Sequence, residues 1–155
     1  MKRAAHRSFP RHYGALEAIF EFTSGFFARH RIDPRLLTSV DFVLEELFTN
    51  MVKYAAADDP ASEVRIDMAA VEGGVEVALT DHGVDAFDVT QAPDAKVDLP
   101  VAERRPGGLG IHLTRRLVDD WRYEYSKERR EGRIIFRKTM SRPIAPQRAT
   151  TKGTN

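Results

Sequence analysis

Hydrophobic residues recur every three or four positions in two long segments of the first half of the chain, the spacing of amphipathic helices. Residues 11–31 predict a first helix, with apolar positions at Leu16, Ile19, Phe20, Phe22, Phe26 and Phe27. Asp33 and Pro34 predict the start of a second helix, because aspartate caps a helix and proline fits its first turn. This helix is expected to end near Ala56, and its apolar positions are Leu36, Leu37, Val40, Val43, Leu44, Leu47 and Met51.

Apolar residues switch to every second position between residues 63 and 81, which is typical of strands with one buried face. The first strand covers residues 63–71, and its apolar positions are Val64, Ile66, Met68 and Ala70. A turn at Glu72, Gly73 and Gly74 separates it from the second strand. That strand continues to Asp81 through Val75, Val77 and Leu79. The two strands therefore predict a hairpin.

The second half of the chain begins with a segment that has no sustained periodicity. Residues 82–107 are rich in Asp, Pro, Ala and Gly, and a connection of this length is typically functional or mobile. A helix is expected to resume after residues 107–110. The segments Trp121–Ser126 and Arg133–Thr139 then predict a closing hairpin around Glu131–Gly132.

The order of these elements favours one domain of the α+β class. Helices and strands come in runs, not in alternating units, and such runs predict a two-layer α+β architecture. The length of 155 residues suits a single domain with its own core. We expect the domain to cover residues 1–140. Residues 141–155, rich in Pro, Thr and basic side chains, are expected to form a disordered basic tail.

The formal charge of +1 conceals an uneven distribution. All 23 acidic residues lie within residues 17–131, which hold only 14 basic residues and so carry a formal charge of −9. Both ends of the chain are basic and contain no acid. An acidic body binds duplex DNA poorly, because phosphate neutralisation needs a basic face on the folded part. No direct nucleic-acid partner is therefore expected.

Composition also narrows the chemistry and the compartment. The chain has no cysteine, which excludes disulfide frameworks, thiolate metal sites and cysteine nucleophiles. No apolar run approaches the roughly 18 residues of a membrane span. The basic N-terminus lacks the apolar stretch of a secretory signal. We therefore expect a cytoplasmic protein without a membrane partner.

The first candidate for chemistry lies on the second predicted helix. Glu46 and Asn50 are four residues apart, so they project from one face, one turn from each other. The carboxylate could accept a proton from an attacking hydroxyl, and the amide oxygen could hold a hard cation such as Mg²⁺. Glu45 points about 100° away and does not share this face. Taken alone, the pair is far more typical of a solvated glutamate and a helical asparagine without a functional role.

The second candidate, Asp81 with Gly83, lies at the end of the predicted hairpin. Asp81 has the same parity as Val77 and Leu79, which places its carboxylate at the end of the buried face. A buried carboxylate needs partners, and the amino group of adenine is a donor of the right kind. Gly83 would let the backbone approach a flat ring closely. The alternative is a simple turn at the end of a strand, where Asp-x-Gly is common.

The third candidate is the glycine cluster of residues 107–110, directly before a predicted helix. Exposed backbone amides and the positive end of a helix dipole form an anion site, and glycines allow close approach to phosphate. No Gly-Lys-Ser/Thr follows, so the cluster is not a lysine-bearing phosphate loop. A flexible joint is the alternative interpretation.

The order of the three motifs is more specific than any one of them. DFVLEELFTNMVKYA at residues 41–55, Asp81-His82-Gly83 and GGLGIH at residues 107–112 resemble the histidine-kinase-like ATPase superfamily. In detail they are similar to its small stand-alone anti-sigma factor serine/threonine kinases. The resemblance covers about residues 8–139. It implies a two-layer α/β sandwich whose mixed, mostly antiparallel sheet is covered on one face by about three helices.

The resemblance also implies a site for ATP and Mg²⁺ between the helices and the sheet, under a lid at about residues 84–107. Glu46 corresponds to the general base and Asn50 to the Mg²⁺ ligand. The remaining matches would contact the nucleotide: the adenine-reading Asp81, its neighbour Gly83, and the phosphate-contacting Gly108 and Gly110. Within the lid, Arg104 or Arg105 is available to the terminal phosphates.

The function implied by the resemblance is that of an ATP-dependent protein serine/threonine kinase acting as an anti-sigma regulatory factor. Its implied partners are a sigma factor that it sequesters and an anti-sigma antagonist that it phosphorylates. Small kinases of this family are often dimers, which makes a homodimer an expectation by analogy. Two alternatives stay open: a regulatory module that binds nucleotide without kinase activity, and a plain α+β domain in which the three motifs coincide by chance.

Overall fold

The computed structural model describes residues 3–54, 57, 59, 61–91 and 108–140, which together form one sheet and three α-helices. In chain order the elements are β1 (Ala4–Pro10), α1 (Leu16–His30), α2 (Leu37–Tyr54), β2 (Glu63–Val71), β3 (Gly74–His82), α3 (Gly108–Leu117), β4 (Asp120–Ser126) and β5 (Glu131–Thr139). Short 3-10 turns precede α1 and α2, at Tyr13–Ala15 and Pro34–Leu36. A further 3-10 turn covers Val89–Gln91.

The five strands form a sheet in the order β1-β2-β3-β5-β4. Every pair of described strands is antiparallel, so the sheet is more uniform than the mixed sheet that the resemblance implies. The central strand β3 is buried along most of its length. It ends at Asp81 and His82, which places the Asp-x-Gly motif at the end of the best-protected strand.

The core lies between the helices and one face of the sheet. Alternate residues of the three inner strands are buried there: Val64, Ile66, Met68, Val75, Val77, Leu79, Ile134 and Phe136. They pack against a stripe from the first two helices: Ile19, Phe26, Phe27, Val40, Val43, Leu44, Leu47 and Phe48. The α+β two-layer fold predicted from the sequence, with about three helices on one face, is confirmed.

The strand β1 was not predicted from the sequence. It pairs only with β2, at one edge of the sheet. Phe9 is its one buried residue, so the strand lacks the alternation of apolar positions that marks β2 and β3. The first helix also begins later than expected, because residues 11–12 form a bend and α1 starts at Leu16.

The turn of the closing hairpin lies at residues 127–130, and its predicted position at Glu131–Gly132 is wrong. Both residues belong to β5, where Gly132 pairs with Asp81 on one side and Tyr125 on the other. The left-handed residue of the turn is Arg130, with φ of 48°. Gly132 is needed for packing instead: a Cβ atom there would lie 2.9 Å from the hydroxyl oxygen of Tyr123.

Three expectations concern residues beyond those that the structure describes. These are the last residues of the second predicted helix, the larger part of the predicted lid (residues 92–107) and the predicted tail at residues 141–155. Among the described helices, none combines the length and the apolar character needed to cross a membrane.

Candidate functional site

The helix α2 carries Glu46 and Asn50 on one face, as the spacing predicted. Asn50 is buried, with an exposure of 7%, and Glu46 is half-buried. The Asn50 side-chain nitrogen donates a hydrogen bond to the backbone oxygen of Glu46 at 2.7 Å. This bond orients the carboxamide and uses one of its two N–H donors. The amide oxygen, which is the atom that a hard cation binds, takes no part in it.

The first turn of α3 passes directly over the Glu46 carboxylate. A Cβ atom at Gly110 would lie 2.6 Å from Oε1 of Glu46 and closer still to Oε2 and Cδ. Only a glycine leaves room for the carboxylate at this distance. The contact brings the first and third sequence motifs together. It also sets an acidic group beside the N-terminal turn of a helix, where the helix dipole is positive.

The environment of Glu46 favours proton acceptance. Burial raises the pKa of its carboxyl group, the charge of Glu45 raises it further, and Lys53 opposes both effects. A carboxylate with a raised pKa is a stronger base than a solvated one. The half-buried position also leaves part of the group accessible. Glu46 is therefore suited to take a proton from a hydroxyl that reaches its accessible part.

Asp81 is almost fully buried, with an exposure of 2%, and it lies beside a cation that sequence analysis missed. Arg11 donates from one terminal nitrogen to Asp81 Oδ1 and from the other to the backbone oxygen of Met51 at 2.5 Å. Within the part of the chain that the structure describes, Oδ2 of Asp81 is buried without a hydrogen-bond partner. Burial raises the pKa of Asp81, and the guanidinium of Arg11 opposes that shift.

In the sequence, the need for a partner is indicated by the position of Asp81, which has the same parity as the buried residues of β3. A carboxylate on a buried face requires a cation or several donors, and the N-terminal segment supplies bases without a competing acid. The sequence offers four of these bases, Lys2, Arg3, Arg7 and Arg11. Nothing in their spacing selects Arg11, because the contact spans 70 residues of chain.

The segment after β3 is fastened to the sheet by two tyrosines of β4. Gly83 adopts a left-handed conformation with φ of 64° and turns the chain out of the sheet. The Tyr125 hydroxyl donates to the backbone oxygen of Val84 at 2.7 Å. The backbone N–H of Phe87 donates to the Tyr123 hydroxyl oxygen at 3.0 Å. The first residues of the predicted lid are thus held against the sheet.

A small apolar cavity of about 30 Å³ lies beneath this segment, between α2 and the sheet. Asn50, Phe87 and Tyr123 are among its lining residues. The rings of Phe87 and Tyr54 stack at its edge, with centroids 6.1 Å apart. Ligand pockets usually measure about 300–1,000 Å³. A cavity of about 30 Å³ is therefore too small for a nucleotide base.

The structure thus brings most of the predicted site residues to the junction of α2, α3 and the end of β3. Glu46 contacts Gly110 directly, and Asp81 is joined to the last turn of α2 through Arg11. Gly108 is the first residue of α3. Arg104 and Arg105 lie outside the described residues.

The side-chain oxygens at this junction suit Mg²⁺ better than a metal ion that is held entirely by protein ligands. The described part of the chain has no group of three or more His, Cys, Asp or Glu side chains that could hold a metal ion. Mg²⁺ is usually bound through one or two protein ligands together with substrate phosphates and water. A single amide oxygen on Asn50, one helical turn from the Glu46 carboxylate that Gly110 of α3 contacts, fits that pattern.

Residues 9–138 match the model of the histidine kinase-like ATPase domain. The chain is 30% identical over 81 residues to the serine-protein kinase RsbW of Oceanobacillus iheyensis, which covers 50% of this chain and 51% of that protein. It is 27% identical over 108 residues to the serine-protein kinase RsbW of Listeria monocytogenes, and this alignment covers 67% of this chain and 68% of that protein. The chain thus spans about half the length of the first relative.

Two solved structures share the fold. One contains the RsbU and RsbW domains of a Mycobacterium tuberculosis protein, with a TM-score of 0.62 and 15% identity over 90% of this chain and 33% of that one. The other is the SiaB–SiaC complex from Pseudomonas aeruginosa, with a TM-score of 0.55 and 14% identity over 90% and 92%. At these identities the likeness concerns the fold alone.

Proposed function

This chain belongs to the histidine kinase-like ATPase domain family, and from that premise we propose that it is an ATP-dependent protein serine/threonine kinase. The family implies ATP binding. The observation that carries the proposal is the contact between the Glu46 carboxylate and Gly110 in the first turn of α3. It sets a base with a raised pKa beside the helix end that is suited to bind phosphate.

The proposed nucleotide site lies between α2, α3 and the end of β3. Asp81 accepts a hydrogen bond from the adenine amino group, and Gly83 lets the backbone approach the ring. The backbone amides at Gly108 and Gly110 bind the phosphates, with Arg104 or Arg105 available to the terminal phosphates. Asn50 holds Mg²⁺ through its amide oxygen. When bound, the ion supplies charge neutralisation between the phosphate groups.

In the proposed reaction Glu46 removes the proton from a serine or threonine hydroxyl of the protein substrate. The hydroxyl oxygen forms a bond to the γ-phosphorus of ATP as the bond to the β-phosphate oxygen breaks, and ADP leaves. Most of the catalysis comes from positioning and from charge stabilisation, as in other phosphoryl transfers. The proton held on Glu46 is then released to solvent through its exposed side.

We propose that the partners are proteins and that the chain acts as an anti-sigma regulatory factor in the cytoplasm. It would sequester a sigma factor and phosphorylate an anti-sigma antagonist. Two observations support this. The relatives are named serine-protein kinase RsbW, and the formal charge of −9 on residues 17–131 disfavours nucleic acid. A homodimer is proposed by analogy with small kinases of this kind.

The test is phosphoryl transfer from labelled ATP to candidate antagonist proteins. We expect Glu46→Gln to lower transfer by about 10²- to 10⁴-fold, the usual contribution of a general base, while ATP binding stays intact. Glu45→Gln is the matched control, because this neighbouring carboxylate is exposed and points away, and it should retain most of the transfer.

The outcomes separate the alternatives. ATP binding without transfer to any candidate antagonist would identify a regulatory module that binds nucleotide and phosphorylates nothing. No rise in melting temperature with millimolar ATP and Mg²⁺ would contradict nucleotide binding itself. Equal loss of transfer in Glu45→Gln and Glu46→Gln would contradict the role of Glu46 as base.

A further inference from the structure

We propose that Arg11 determines which nucleotide base the site accepts, by holding Asp81 as a charged acceptor with one oxygen reserved for an amino group. The inference rests on the proposed function, which sets the base beside Asp81. Arg11 lies in the bend between β1 and the 3-10 turn before α1, outside all three sequence motifs. It acts through Asp81 and is therefore a positioning residue.

The guanidinium of Arg11 is built into the fold at three points. Its side chain is only 7% exposed and the Asp81 side chain 3%. Besides Asp81, it donates to the backbone oxygen of Met51 in α2 and, from Nε, to Ser62 Oγ at 3.4 Å. A guanidinium has five N–H donors in a rigid planar arrangement. Arg11 therefore joins α2, the start of β2 and the end of β3 in one fixed geometry.

This geometry leaves a single acceptor for a ligand. Oδ1 of Asp81 accepts a hydrogen bond from Arg11, and Oδ2 is buried with no hydrogen-bond partner among the described residues. An ionised carboxylate only accepts hydrogen bonds. The 6-amino group of adenine can donate to Oδ2. A 6-oxo group, as in hypoxanthine or guanine, would place its lone pairs against those of Oδ2, and the two acceptors repel each other.

The other charged or titratable groups near Asp81 do not replace Arg11. The charge and the backbone N–H of His82 also lower the pKa of Asp81, but less than Arg11 does, and the His82 side chain is exposed, 3.5 Å from Glu131. Tyr123 accepts from the Phe87 backbone at 3.0 Å. Without the guanidinium, burial favours the neutral carboxylic acid. A neutral acid has both a donor and an acceptor, so it can bind an amino or an oxo group and loses the ability to discriminate.

The experiment compares ATP with inosine triphosphate (ITP), in which an oxo group replaces the 6-amino group. Binding is measured by titration calorimetry in the presence of Mg²⁺. The full chain should bind ATP roughly 10- to 100-fold more tightly than ITP, the worth of a hydrogen bond to a charged group. In Arg11→Met this ratio should fall close to one. Arg65→Met is the matched control, because Arg65 pairs with Asp67 on an exposed part of β2.

A second variant keeps the proposal testable if Arg11→Met does not fold. Arg11→Lys keeps the positive charge beside Asp81 and should retain most of the preference for ATP over ITP. A complete loss of that preference in Arg11→Lys would overturn the proposal.

The failure of this inference can be told from the failure of the proposed function. A chain that binds neither nucleotide contradicts the proposed function and removes the basis of the inference. A chain that binds ATP and ITP equally, or an Arg11→Met variant with the original ratio, overturns the role of Arg11 alone. If Arg11 had a purely structural role, Arg11→Met would weaken the binding of ATP and of ITP together and leave the ratio of the two affinities unchanged.

Discussion

Replacing Gly110 with alanine tests the contact on which the proposed kinase site depends. The added Cβ atom would lie 2.6 Å from Oε1 of Glu46, and the rest of the carboxylate is closer. Cβ atoms essentially never lie within 3 Å of non-bonded atoms of other residues. Either the Glu46 side chain or the first turn of α3 must therefore move. Both movements would separate the proposed base from the proposed phosphate site, so phosphoryl transfer should fall sharply.

The effect on stability follows from two opposing contributions. Alanine stabilises a helix interior by about 0.8–1 kcal/mol relative to glycine. Forcing an atom into a filled space typically costs about 1–3 kcal/mol, and the lower end applies here because the clashing group is the end of the flexible, half-buried Glu46 side chain. The net change for Gly110→Ala should therefore lie toward the lower end of about 0–2 kcal/mol of destabilisation. For a chain of this length, each kcal/mol shifts the melting temperature by about 2–4 °C.

The chain offers a matched control in α1. Gly25 is also helical, and a Cβ atom there would meet nothing within 4 Å. Gly25→Ala should show only the helix contribution, a stabilisation of up to about 1 kcal/mol. Both variants are measured by urea denaturation and by transfer from labelled ATP. The difference between their free energies of unfolding then isolates the steric contribution at Gly110.

A double variant assigns that contribution to Glu46. In a Glu46→Ala background the carboxylate is gone, so Gly110→Ala should behave like Gly25→Ala. The expected coupling between the two sites is about 1–3 kcal/mol, within the range for residues in contact. If Gly110→Ala alone is as stabilising as Gly25→Ala and transfers phosphate at the original rate, α3 does not pass over the carboxylate and the reasoning is refuted.

Three further predictions concern other parts of the molecule. Gly132→Ala should lower the free energy of unfolding, measured by urea denaturation, by about 1–3 kcal/mol, because its Cβ would meet the Tyr123 hydroxyl. Combining it with Tyr123→Phe should restore part of this loss. A Gly132→Ala variant as stable as the unaltered protein would contradict this packing. Burial and the charge of Glu45 raise the pKa of Asp41 to about 6. Between the pKa of Asp41 in the unfolded chain and the value of about 6 in the folded state, the folded state binds more protons than the unfolded state. The contribution of Asp41 to the free energy of unfolding is therefore lost as pH rises through about 6. Asp41→Asn should therefore stabilise the chain more at pH 7 than at pH 5, and an equal effect at both would count against it. Removal of Mg²⁺ with EDTA should strongly weaken ATP binding, because the acidic body does not attract a polyphosphate; equal affinity in EDTA would disprove this dependence.

The elements that sequence analysis found are those whose residues alternate or repeat against a single buried surface. The boundaries of the β2–β3 hairpin were predicted almost to the residue, because one face of both strands is buried against the helices. The edge strand β1 gave no such pattern, since only Phe9 is buried.

The site was predicted where its residues lie in local motifs. Glu46 and Asn50 lie one turn apart on one helix, so the face that they share can be read from their spacing. The contact of Glu46 with Gly110 and that of Arg11 with Asp81 join distant parts of the chain. Their partners are set by the packing of helices on the sheet, and local periodicity contains no information about that packing.

The two edges of the sheet bear on how copies of the protein behave when concentrated. An unpaired edge strand is a template for adding strands from other molecules, which leads to aggregation. Here β1 carries His6, Arg7 and Pro10, and β4 exposes alternating charges at Asp120, Arg122 and Glu124. Charge and proline at an edge oppose strand addition. We therefore expect the folded protein to resist amyloid-like association, and charge-removing changes along β1 or β4 to weaken that resistance first.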